Sequence, residues 1–98
     1  MTKHEIRDAV FAAITITLQR SGRSVPDFKD TDKPVDDYDG FDSQCGVEVT
    51  LELEGMLRAD DLGTNIFVKG QGKAARARTI KEIVNHVAAL ILTKGGQR

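Results

Sequence analysis

The sequence predicts an all-α fold, a small four-helix bundle of three major helices and one short one with a long first loop. Three observations carry this. Two stretches, about 4–21 and about 79–93, place apolar residues on one face at the 3.6-residue period of a helix. A third, about 43–58, fits the same period. The chain has 98 residues, 40% of them apolar and 30% charged, the mix of one ordinary globular domain.

In the first helix Ile6, Val10, Ala13, Ile14, Thr17 and Leu18 form the stripe. Thr2 with Glu5 three residues later is a capping-box signature, and Gly22 supplies the stop. Residues 22–42 form an acidic loop with two prolines and no apolar period, pinned by Val25, Phe28, Val35, Tyr38 and Phe41. Loops this long are uncommon in small domains unless they serve a function or move.

Val47–Glu54 alternates at period two, as a strand does. It also fits a helix, with Cys45, Val49, Leu53, Met56 and Leu57 on one stripe and Val47 and Leu51 on a second buried flank. The Asp42-Ser43 pair is a helix-start signal, and no other segment offers a partner strand. Helix is therefore the expectation. Residues 59–78 read as an irregular basic segment around a short apolar patch, Ile66-Phe67-Val68. The last helix opens on Thr79 with Glu82 three residues later, carries Ile80, Ile83, Val84, Val87, Leu90 and Ile91, and ends at Lys94-Gly95-Gly96.

The net charge of −1 conceals an asymmetry. Between Asp27 and Asp61 twelve acidic residues face three cations, for −9, and the rest of the chain carries +8. An acidic centre repels phosphate backbones and suits basic partners. The basic run Lys73, Arg76, Arg78 and Lys81 has no interleaved aromatics for stacking on bases. It is expected to pair with the acidic loop of its own chain or with an acidic partner. The one cysteine, Cys45, excludes an internal disulfide framework and fits a reducing compartment. The longest apolar run is too short to span a bilayer, and the N-terminal residues lack a signal-peptide core. A cytoplasmic monomer that binds neither membrane nor nucleic acid is the expectation.

Gly40-Phe41-Asp42-Ser43 stands where the acidic loop meets the central helix. A hydroxyl there lies beside the unpaired N–H groups of the first turn, which favour an anion attached to it. Read alone, Ser43 is better explained as part of a helix cap, since Asp-Ser is a common helix opening. The ordered set Gly40-Phe41-Asp42-Ser43, Val47-Glu48, Leu53-Glu54, Leu62-Gly63 and Thr79-Ile80 with Ile83 and Val87 resembles the acyl carrier protein family, in register from about Gly40 to Ile91. The resemblance implies a carrier without catalytic activity of its own. Ser43 would receive 4′-phosphopantetheine from coenzyme A, through a magnesium-dependent phosphopantetheinyl transferase, for a fatty-acid, polyketide or other specialised pathway. It implies that Asp42 flanks the attachment site. Asp39, Asp42, Glu48, Glu52 and Glu54 would form the acidic face on which acyl-loading and acyl-using enzymes dock through basic patches. Val47, Val49 and Leu53 would pack the bundle. Three departures point to a specialised carrier: Gln44 where an apolar residue is common, Gly46, which costs the first turn roughly 1 kcal/mol relative to Ala, and the basic segment.

Other motifs fail on their own chemistry. Asp37 to Glu48 has the length of a calcium-binding loop, but its sixth position, where glycine is required, is Asp42. Gly70-Gln71-Gly72-Lys73 lacks the phosphate-loop spacing, and Cys45 lies on the apolar stripe, where a free cysteine is usually a small buried hydrophobe, so it and His86 make no convincing nucleophile and base. The alternative function is an unmodified carrier-like helical module that binds a basic protein through the acidic helix face.

Overall fold

Helix α1 (Lys3–Arg20) forms where the stripe and caps place it. The computed structural model describes residues 2–59, 62–70, 73 and 75–96, with side chains through residue 91. Thr2 and Glu5 make the reciprocal capping box, and accepting the Thr2 N–H holds the Glu5 carboxyl below its ordinary pKa. At the other end Gly22 turns left-handed (φ 73°), so that Arg23 N donates to Leu18 O and Gly22 N to Gln19 O. This is the Schellman pattern, which a glycine makes without a Cβ penalty.

Helix α3 (Ser43–Leu57) confirms the helical reading of Val47–Glu54. It packs on α1, as does α4 (Ile80–Gly96), so α1 is the element on which both lean. The core joins Ile6, Val10, Ile14 and Leu18 of α1, Val49 and Leu53 of α3, and Ile80, Ile83 and Val87 of α4. Gly95 and Gly96, expected to stop the last helix, lie within it; glycine weakens a helix but does not forbid one.

Two expectations about α3 are corrected. It is buried on one side only: Leu51 is 62% exposed, Val47 is half-buried, and Met56 is exposed, not part of the stripe. With α1 on one flank and the 62–67 segment on the next, the side through Leu51 has no covering element among the described residues.

The short helix, α2 (Pro34–Asp37), lies inside the first loop, with Pro34 at its first position and Asp37 accepting the Lys33 N–H. The basic segment is more ordered than expected. Val68–Lys69 (β1) and Arg76–Ala77 (β2) pair antiparallel, Val68 opposite Ala77 and Lys69 opposite Arg76. Ile66 and Phe67 at its root are fully buried. Arg78 holds the root closed, its amide donating to Phe67 O and its Nη1 to Ile66 O.

The acidic loop is pinned more firmly than its composition predicts. All five aromatic residues form one continuous array: Phe11 stacks on Phe28 at 4.7 Å, and Tyr38, Phe41 and Phe67 follow at 5.9, 6.3 and 5.0 Å. Arg7 lies over Phe11 and pairs with Asp30. The carbonyls of Asp32 and Asp30 accept the N–H groups of Ile80 and Lys81, capping α4 from the loop. Thr79 and Glu82 complete that cap with a second capping box. Among the described residues no helix is long and apolar enough to cross a membrane.

Candidate functional site at the head of the central helix

Asp42 sets the start of α3. Its backbone is extended and its carboxylate accepts the Cys45 N–H at 2.9 Å, so it is the N-cap and Ser43 is the first helical residue. Ser43 and Gln44 are both exposed. The cap takes up the Cys45 amide and leaves those of Ser43 and Gln44, which have no carbonyl four residues back in the helix, at the open end beside the serine hydroxyl. Phe41 tucks beneath the turn as a buried member of the aromatic array.

Among the described residues Arg23 is the cation that lines this end. Arg23, Val35, Tyr38, Gly40, Phe41, Asp42 and Ser43 line an open crevice of about 480 Å³. The Arg23 side chain lies so close over Gly40 that a Cβ there would fall 2.8 Å from its Nε. Gly40 is also left-handed (φ 73°), so glycine serves twice at this turn. Sequence reading missed Arg23: it stands twenty residues before Ser43, and only the Schellman turn after α1 brings it here.

A second missed feature is a clamp on the first turn. Gly46 packs against Asn65, where a Cβ would fall 2.6 Å from the amide oxygen. Asn65 Nδ2 donates to Ser43 O at 3.3 Å, and its Oδ1 accepts the Phe67 N–H at 2.9 Å. Below it Thr50, fully buried, donates to Gly46 O and accepts the Ile66 N–H. Gly46 is thus the seat of a neighbouring segment as well as a weak point in the helix. Gly46→Ala gains helix propensity of about 1 kcal/mol but displaces Asn65. We expect it to lower stability in the native chain and to raise it by about 1 kcal/mol in an Asn65→Ala background. Urea unfolding of the four proteins of this cycle checks the change of sign.

The expected docking acids divide. Glu54 Oε2 accepts the Leu62 N–H at 2.7 Å, fixing the chain's exit from α3. Glu52 lies 3.7 Å from Arg20, and Asp42 is occupied as the cap. Asp39 and Glu48 are exposed and have no ion pair among the described residues. Gln44, Glu48 and Leu51 share one face by helical spacing.

The remaining reactive groups are not drawn together. Cys45 is buried, and burial raises its thiol pKa against a smaller opposing effect of Arg23. Burial lowers the pKa of His86, with a further contribution from Arg78. Tyr38 donates to Asp32 at 2.9 Å, and burial with that bond keeps its phenol protonated far above the ordinary range. Among the described residues no three metal-ligating side chains converge. Compared with known proteins, the chain matches no family model, no curated sequence and no solved structure.

Proposed function

We propose that this chain is an acyl carrier protein, modified on Ser43 with 4′-phosphopantetheine and without catalytic activity of its own. The observation that supports this most is the placement of Ser43: an exposed hydroxyl at the first position of α3, above the open amides and within the crevice that Arg23 lines. These residues fit a phosphodiester. Ser43 Oγ would bear it, the Ser43 and Gln44 amides would face its oxygens, and the guanidinium would offset the neighbouring Asp39 and Asp42 carboxylates.

In the loading step, performed by a phosphopantetheinyl transferase with magnesium, the Ser43 hydroxyl loses its proton and Oγ bonds to the phosphorus that carries pantetheine. The pyrophosphate bond of coenzyme A breaks, and adenosine 3′,5′-bisphosphate leaves with the bonding electrons. Once attached, the arm supplies a thiol that holds an acyl group as a thioester for fatty-acid, polyketide or related synthesis. The chain's own contribution is to present the hydroxyl clear of the core and to offer partner enzymes Asp39 near the serine turn and Glu48 beside the exposed Leu51. Charge there guides encounter, and the leucine contributes apolar contact.

Incubating the purified protein with coenzyme A, magnesium and a broad-specificity transferase tests this by intact mass. The expected result is a gain of one phosphopantetheine that Ser43→Ala abolishes while leaving the unfolding midpoint unchanged, since the hydroxyl makes no contact that holds the fold. An unmoved mass in the native chain overturns the carrier reading. It favours the second reading, an unmodified module that binds a basic protein through the Glu48 and Leu51 face, which rests on the exposure of Leu51.

A further inference from the structure

We propose that the β1–β2 hairpin is a docking surface for a short acidic segment of a partner protein, separate from the Ser43 site and independent of whether Ser43 carries an arm. The stretch from Leu62 to Lys81 holds five Lys or Arg and no Asp or Glu. The fold concentrates this charge. Lys69 and Arg76 are directly opposite in the strand register and both exposed, and Lys73 is exposed in the connection between the strands. Like charges facing each other across a strand pair destabilise it. Among the described residues no ion pair neutralises any of the three.

The hairpin edges an open crevice of about 440 Å³ lined by Lys33, Lys69, Arg76 and Arg78 against two acids, Asp36 and Glu82. Glu82 Oε1 accepts the Thr79 N–H, and its charge is felt by Lys69 and Arg78 without closing an ion pair with either. Arg78 is held at the root by Ile66 O. Lys33, Lys69, Lys73 and Arg76 are thus the cations available to an incoming group. Among the described residues no ion pair joins the acidic loop to these cations, although α2 lies against β2 and its Asp36 lines the same crevice.

Charge complementarity calls for an anionic occupant, and the surroundings select its class. Each strand has only two residues, and the strip is bordered on one side by α2, whose Asp36 lines the same crevice. A duplex would lay rows of phosphates beyond the strip and onto that carboxylate, at a cost in repulsion. A single nucleic-acid strand would find no exposed aromatic side chain on the hairpin to stack against. A few glutamates or aspartates on one protein segment match the strip without overrunning it.

Fluorescence anisotropy with a fluorescein-labelled oligoglutamate peptide and the full chain tests the surface. Binding is expected to weaken as salt rises and to fall about tenfold or more in the Lys69→Glu, Arg76→Glu double variant. The charge-matched control Lys3→Glu, Arg20→Glu is expected to retain most of it. Lys69→Glu alone creates an opposed pair with Arg76, so it should raise the thermal midpoint by a few degrees while still weakening the peptide. That combination separates lost docking from lost folding. Four results overturn the proposal: no peptide binding, an equal loss in the control, tighter binding of a double-stranded DNA probe, or a salt-sensitive dimer that the hairpin variant dissolves, which would assign the surface to a second copy of the chain.

Discussion

Replacing Phe67 with alanine is expected to remove about 3–5 kcal/mol of stability, measured as a shift in the urea midpoint at unchanged slope. Domains of this size have about 5–15 kcal/mol in all, so the variant should be close to unfolding at 37 °C. Phe67 has no exposed surface and meets Phe41 edge-on at 5.0 Å. Its truncation leaves a void between the root of the hairpin and the turn that leads into α3, and neither side is free to close it. On one side Phe67 O accepts the Arg78 amide and Phe67 N donates to Asn65. On the other, Phe41 is locked against Tyr38. Phe67→Leu keeps most of the volume and should cost less than half as much. A loss below about 1 kcal/mol for the alanine variant would show that the segment is not part of the core.

The next largest effect is expected at Thr50. Valine matches its shape but removes the oxygen that accepts the Ile66 N–H at 3.1 Å, in a position with no exposed surface. The amide is then buried without a partner, which costs about 1–3 kcal/mol. Thr50→Ser keeps the acceptor and gives up only a methyl group, so it should retain most of the stability. Hydrogen exchange supplies the local readout: the Ile66 amide should lose protection in the valine variant by more than the global destabilisation accounts for. Equal stability of the native and valine proteins would count against this link between α3 and the 62–67 segment.

Both capping boxes and both outer helices were legible because their signals are local. Thr2 with Glu5 and Thr79 with Glu82 need only three residues of spacing, and each stripe repeats several times. Val47–Glu54 was legible by exclusion, as a strand without a partner. The orientation of α3 was not: Leu51 and Val47 look as apolar as Val49 and Leu53, and only the placement of α1 decides which pair is covered. The hairpin escaped notice because its register rests on two residue pairs and on Arg78, whose bonds to Ile66 and Phe67 cross the root. At the candidate site the exposed position of Ser43 followed from Asp42 as a cap. Arg23 and Asn65 did not follow from anything local, since each arrives from another part of the chain. Gly46 shows the same limit: helix propensity marks it as a weakness, whereas its purpose is the space it leaves for Asn65.

The seating of the Asp30 and Asp32 carbonyls on the first turn of α4 limits how the molecule can be re-engineered. The connection between the first two long helices looks like a tether that could be trimmed or exchanged for a glycine-serine linker. Cutting it would take two carbonyl caps off the first turn of α4 and withdraw Phe28, Tyr38 and Phe41 from the aromatic array beneath the serine turn, so a shortened protein would lose order at the heads of both α3 and α4.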